Sequence, residues 1–140
     1  AKSPQIEARY RNVIGTLSDP NAPRKVISAI LDQSIRGADA PYIIATLLSN
    51  TKNASVAFQE IKNNWSNLLN VMPGWTSSRI LDSLSSIYDE SLSVEIKKFI
   101  KDNPLPSADK ITKQKIERMD ANIKFKNSIK EDLIKTKFKL

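Results

Sequence analysis

Asp39-Ala40-Pro41-Tyr42-Ile43-Ile44-Ala45-Thr46-Leu47-Leu48-Ser49-Asn50 is the stretch on which the fold turns. An aspartate with a proline two positions later signals a helix start. The acid suits the N-cap, and the proline's fixed φ suits a first turn, where its missing N–H removes no intrahelical bond. Apolar residues then recur at Ile43, Ile44, Leu47 and Leu48, a three-and-four spacing that puts all four on one side of a helix reaching Asn50.

The same punctuation repeats outward from this helix. Towards the N-terminus, Asp19 and Pro20 offer an N-cap and first-turn proline for a helix with Val26, Ile27, Ile30 and Leu31 on its apolar side. Ser3-Pro4 starts an earlier one bearing Tyr10, Val13, Ile14 and Leu17, and the two make a hairpin. Beyond Asn50, a helix from near Ala54 carries the stripe Ala57, Ile61, Trp65 and Leu68. Met72-Pro73-Gly74 break the chain before a fifth helix with Ile80, Leu81, Leu84 and Ile87. Asp89 or Ser91 caps a sixth, whose apolar residues are Val94, Ile96, Phe99 and Ile100 and which Asn103-Pro104-Leu105-Pro106 stops.

A long seventh helix, roughly 108–137, places Ile116, Met119 and Ile123 on one face and Phe125, Ile129 and Leu133 largely on the opposite one. Apolar residues on two sides imply two neighbours. Helical pairs thus begin near Pro4, Ala40 and Trp75, a spacing of about 36 residues that lies in the range of helical repeats. The expected architecture is all-α: an irregular α-solenoid or α-α superhelix of HEAT-like antiparallel helix pairs, with roughly seven helices in one domain over residues 1–140.

Composition narrows the function. The 140 residues are 40% hydrophobic and 26% charged, enough to bury one core. No apolar run approaches the length of a membrane span, and the N-terminal AKSPQIEARY lacks the apolar centre of a signal peptide, so a soluble chain is expected. Cysteine and histidine are both absent. Zinc sites of the usual kinds and the Ser-His-Asp and Cys-His arrangements therefore cannot be built, and the chain alone is expected to be no enzyme and to hold no cofactor. The net charge of +7 raises nucleic acid as a partner, but residues 107–140 hold ten Lys/Arg and five Asp/Glu, which places most of the excess on the last helix. Phe125 and Phe138 are the two aromatics among those lysines, too few for a series of base-stacking platforms, so a solvated helix face is the simpler reading.

Several pieces, taken in order, resemble the terminal domain of the aminopeptidase N family of zinc metallo-aminopeptidases, relatives of the puromycin-sensitive and endoplasmic-reticulum enzymes. They are Leu17-Ser18-Asp19-Pro20, then Ile35-Arg36-Gly37-Ala38-Asp39 leading into the helix that ends at Asn50, and Phe58 through Asn64-Trp65. The likeness continues in Tyr88-Asp89-Glu90-Ser91, Val94 to Phe99, Asn103-Pro104-Leu105-Pro106 and Ala121-Asn122-Ile123-Lys124-Phe125. Ala38 stands where the family commonly has Gln, and Phe125 where Trp is frequent. The resemblance implies a parent with a catalytic domain carrying an H-E-x-x-H zinc helix and a Gly-x-Met-Glu-Asn loop, neither of which is present here. It implies that this chain is roughly the later half of a helical bowl that covers the catalytic cavity, limits peptide entry and in some members supplies a homodimer surface. The implied partners are the parent's catalytic and other domains and the peptide substrate.

Individual residues carry two readings each. Arg36 could attract a peptide's C-terminal carboxylate through a bidentate pair, or could bond Asp39 or the carbonyls ending the second helix. Asp39 suits an N-cap before it suits a substrate contact, and Trp65 is a core residue on its stripe or an aromatic wall of a cavity. Asn53-Ala54-Ser55 and Asn64-Trp65-Ser66 fit the N-glycosylation pattern, Asn53 in a predicted loop and Asn64 within a helix. They favour an extracellular or membrane-anchored parent over a cytoplasmic one. A free-standing helical-repeat adaptor and a basic nucleic-acid-binding module remain as alternatives to the aminopeptidase domain. Scattered lysines give counterion release without base contacts, so duplex DNA binding should be weak and vanish near physiological salt, as fluorescence anisotropy at low and moderate ionic strength would show.

Overall fold

The Asp39-Ala40-Pro41 signal opens a helix that spans Ala40–Ser49 and buries Ala40, Pro41, Ile43, Ile44, Leu47 and Leu48. In the computed structural model, which describes residues 18–104 and 109–137, it is the second of seven helices among the described residues, and no strand occurs among them. In chain order these are α1 (Ala22–Leu31), α2 (Ala40–Ser49), α3 (Ala54–Asn63), α4 (Trp65–Val71), α5 (Thr76–Leu84), α6 (Glu90–Asp102) and α7 (Asp109–Lys137). The expected first helix, with Tyr10, Val13, Ile14 and Leu17, lies outside the described residues, as do Leu105, Pro106 and Ala108. No helix among the described residues is long and apolar enough to cross a membrane.

The chain divides into two compact units, one ending at Leu84 and the other beginning at Ser85. In the first, α2 packs most extensively on α5 and also meets α1 and α3, while α1 packs on α3 and α4. Helices that open successive pairs thus stack on each other, α2 on α5, and so do helices that close them, α1 on α3. The core is made of the predicted stripes. Val26, Ile27 and Ile30 of α1, Ala57, Phe58 and Ile61 of α3, Trp65 and Leu68 of α4, and Ile80, Leu81 and Leu84 of α5 are all buried. Arg24 donates from Nε to Glu60 Oε1 at 3.2 Å and ties α1 to α3 at the surface.

Local structure differs from expectation at five places, the first being that α5 ends at Leu84, so that Ile87, although buried, lies beyond it. Asp19 does not cap α1, since Asn21 holds the N-cap position and Pro23 lies in the first turn. The Asp19 carboxylate instead accepts from the Asn21 amide at 2.9 Å and from Lys25 Nζ at 3.3 Å, bonds that hold its pKa below the usual carboxylate value, the amide bond most of all. Asp39 does occupy the N-cap position of α2, but its side chain caps no first-turn amide; it takes the Arg36 guanidinium. The predicted fourth helix is two helices. At Asn64 the side-chain Nδ2 donates to Glu60 O at 2.9 Å, competing with the backbone ladder as asparagines do, yet Trp65 and Leu68 stay in line with Ala57 and Ile61. Val94, placed on the apolar side of the sixth helix, is 63% exposed; the buried face of α6 is Leu92, Ser93, Ile96, Phe99 and Ile100.

In the second unit, Asp89 caps α6 by accepting from the Leu92 amide at 2.8 Å, and Asn103 closes it by donating to Phe99 O at 2.9 Å. α7 packs on α6 through the first of its two apolar sides, with Met119 and Ile123 buried and Ile116 half-buried, and Lys97 pairs with Asp120 across the contact.

Gly37 fixes the connection between α1 and α2 against the end of α4. A Cβ there would lie 2.2 Å from the backbone oxygen of Val71, whereas one at Gly74 would meet nothing within 4 Å. A backbone oxygen cannot rotate aside, so Gly37→Ala should destabilise by about 1–3 kcal/mol through forced displacement. Neither glycine has a positive φ. Gly74→Ala should therefore be neutral or stabilising by up to about 1 kcal/mol, and urea midpoints of the two variants measure the contrast.

Candidate functional site

A polar-aromatic cluster on the surface of the first unit is one that the sequence stripes do not predict. Tyr42, on the first turn of α2, is 50% exposed, and Trp75, immediately before α5, is 51% exposed. Arg79 of α5 lies between them, its guanidinium carbon 5.2 Å from the Tyr42 ring centroid and 5.9 Å from that of Trp75. Both distances fall within cation–π range. The ion pairs Arg24–Glu60, Lys25–Asp19, Arg36–Asp39 and Lys97–Asp120 do not engage Arg79. The cluster thus presents a guanidinium held between two aromatic faces, a group that binds carboxylates and planar side chains and whose three residue types dominate protein-binding surfaces. The Trp75–Arg79 half was legible as an i, i+4 pair. Tyr42 was not, because it joins only through the packing of α2 on α5.

The residues singled out by sequence are dispersed rather than gathered. Arg36 Nε donates to Asp39 Oδ2 at 2.8 Å, which is the structural one of its two readings, and the Arg36 side chain is 72% exposed. Asn50 closes α2 and accepts from the Lys52 amide at 3.1 Å. Trp65 is 6% exposed, at the start of α4, where it serves as core. Asn122 is half-buried on α7 in the second unit. Asn53 was expected in an open loop. It sits at the N-cap position of α3 with 1% exposure, its Nδ2 3.4 Å from Asp19 O. Asn64 is half-buried and bonded to Glu60 O.

A Trp75 shielded on one side by Arg79 and a Trp65 in the core are separable optically. Acrylamide should quench one tryptophan readily and the other little, and Arg79→Ala should raise the accessible fraction while costing about 0.5–1 kcal/mol of stability at this exposed site.

No group of three His, Cys, Asp or Glu among the described residues could hold a metal ion, and the sequence has no His or Cys. These residues do not fit zinc.

Comparison with known proteins matches curated relatives and a family profile. Aminopeptidase M1-B of Oryza sativa subsp. japonica is 25% identical over 127 residues, covering 86% of this chain and 14% of that protein. The chain therefore spans a small part of the length of that curated relative. The profile of the ERAP1-like C-terminal domain matches residues 1–121, which takes in α1 to α6 and the first half of α7. With helices alone among the described residues and a profile match over most of the chain, this protein belongs to the ERAP1-like C-terminal domain family.

Proposed function

We propose that the chain is roughly the later half of the non-catalytic C-terminal domain of a zinc aminopeptidase, a hydrolase that removes N-terminal residues from peptides. In the parent it covers the catalytic cavity and shapes which peptides enter, working beside the catalytic domain that holds the zinc. The observation that carries this reading is the profile match over residues 1–121, joined to the 14% share of an aminopeptidase that the chain spans. The absence of His and Cys agrees with chemistry performed elsewhere in the polypeptide. Stacking of α2 on α5 and of α1 on α3 supports a helical-repeat array continuing into an α-solenoid, the shape that forms a concave wall. On such a wall a homodimer surface is also open.

Two arginines are the proposed contacts for peptide. Arg79 is held between Tyr42 and Trp75, and Arg36 is fixed through Nε by Asp39, so each guanidinium loses little freedom on binding a carboxylate. A contact made far from the catalytic centre helps only substrates long enough to reach it. In the intact enzyme, Arg79→Ala and Arg36→Ala should each lower kcat/KM for peptides of about ten residues by roughly tenfold, the worth of one charge-assisted bond, and leave a small aminoacyl reporter unchanged. Equal effects on both substrates would remove the peptide-contact role, and an intact protein without aminopeptidase activity would remove the proposed function.

A further inference from the structure

We infer that the C-terminal half of α7 is a docking surface for an acidic helical segment of the same polypeptide outside residues 1–140, an inference that rests on the reading of the chain as part of a larger protein. The first half of α7 is held by α6 through Met119 and Ile123. Every residue from 127 to 137 is exposed, an overhang of about 16 Å at the helical rise. It continues an already nucleated helix but gains no packing of its own along this stretch. Yet it is not a uniformly polar stretch. Phe125, Ile129 and Leu133 follow one another every four residues in a single row and are 68%, 42% and 58% exposed, with Ile134 at 56%.

Charge and length select the occupant. One edge of the row is lined by Lys126, Lys130 and Lys137; the other carries Asp132. Residues 124–137 include five lysines against Glu131 and Asp132, a net charge of +3. A second copy paired antiparallel about a twofold axis would set each edge against itself, lysine row on lysine row, which is repulsive. An anionic membrane would take the lysines but would meet Asp132 beside the apolar row. A helix with an apolar stripe and acids along one edge satisfies both features. The row is present on every molecule and would aggregate if left bare. A segment of the same chain covers it at an effective concentration on the order of millimolar, and 86% of this chain matches only 14% of its aminopeptidase relative, so such a protein holds ample further sequence.

Hydrogen–deuterium exchange on the intact protein tests this without using its activity. Amides of residues 127–137 should exchange at least ~100-fold more slowly than in an unstructured peptide, at a rate independent of protein concentration and unchanged by vesicles of phosphatidylserine. Ile129→Asp should abolish that slowing while α6 keeps its own, and Lys130→Glu with Lys137→Glu should reduce it, whereas Lys124→Glu, off the row, should not. Rapid exchange throughout 127–137 would overturn the inference. So would slowing that grows with protein concentration, which means a second copy, or slowing seen only with vesicles. Loss of peptidase activity with protection intact would bear on the parent's function and leave the docking surface standing.

Discussion

Helix α2 is the constraint on which the first unit depends. It is a ten-residue helix with six buried side chains, and it touches α1, α3 and α5 at once. A helix so nearly apolar cannot end at water on any broad face; it must be enclosed, and each enclosing helix contributes a stripe whose width matches what α2 leaves uncovered. Leu47 and Ile44 are fully buried, so removing either would open a void bordered by several elements rather than one. The aromatic and charged residues at the surface depend on the same enclosure. Tyr42 reaches Arg79 because α2 and α5 are packed, not because either sequence places them together.

The sequence was informative wherever the apolar spacing was regular. The stripes of α1, α2, α3 with α4, and α5 were legible because three-and-four spacing survives small irregularities, including the interruption at Asn64. The two-sided character of α7 was legible for the same reason, and its outward row of Phe125, Ile129 and Leu133 is indeed exposed. Caps were read less well. Asp19, Asp39 and Asp89 look alike in sequence, yet only Asp89 of the three bonds a first-turn helix amide through its side chain. Asp39 is diverted by Arg36 three residues earlier, and Asp19 stands two residues too early and bonds Asn21 instead. A short polar side chain has several partners within reach, and one-dimensional spacing does not say which is nearest.

The candidate surface was the least legible part. Its arginine and tryptophan are four residues apart, but the tyrosine comes from a helix more than thirty residues away in sequence. Conversely, Arg36, Asp39, Asn50, Trp65 and Asn122 stood out through family likeness, and the local roles seen for the first four are an ion pair, a helix end and a core side chain. Residues that recur for packing and residues that meet a ligand leave the same trace in one sequence; only the tertiary contacts separate them.

The length of α7 has a mechanical side. Its hold on α6 centres near Met119 and Ile123, and the helix then runs on unbroken to Lys137, about 21 Å beyond Ile123 at the helical rise. An unbroken helix transmits rotation as a rod does. A tilt of about 10° at that pivot would carry the tip nearly 4 Å, so a rotamer change around Met119, too small to alter the packing elsewhere, becomes a displacement of atomic-diameter scale at the far end. A rod held near one end turns a small tilt at its hold into a larger displacement at its tip, and the hold on α7 includes a methionine, the most deformable of the apolar side chains.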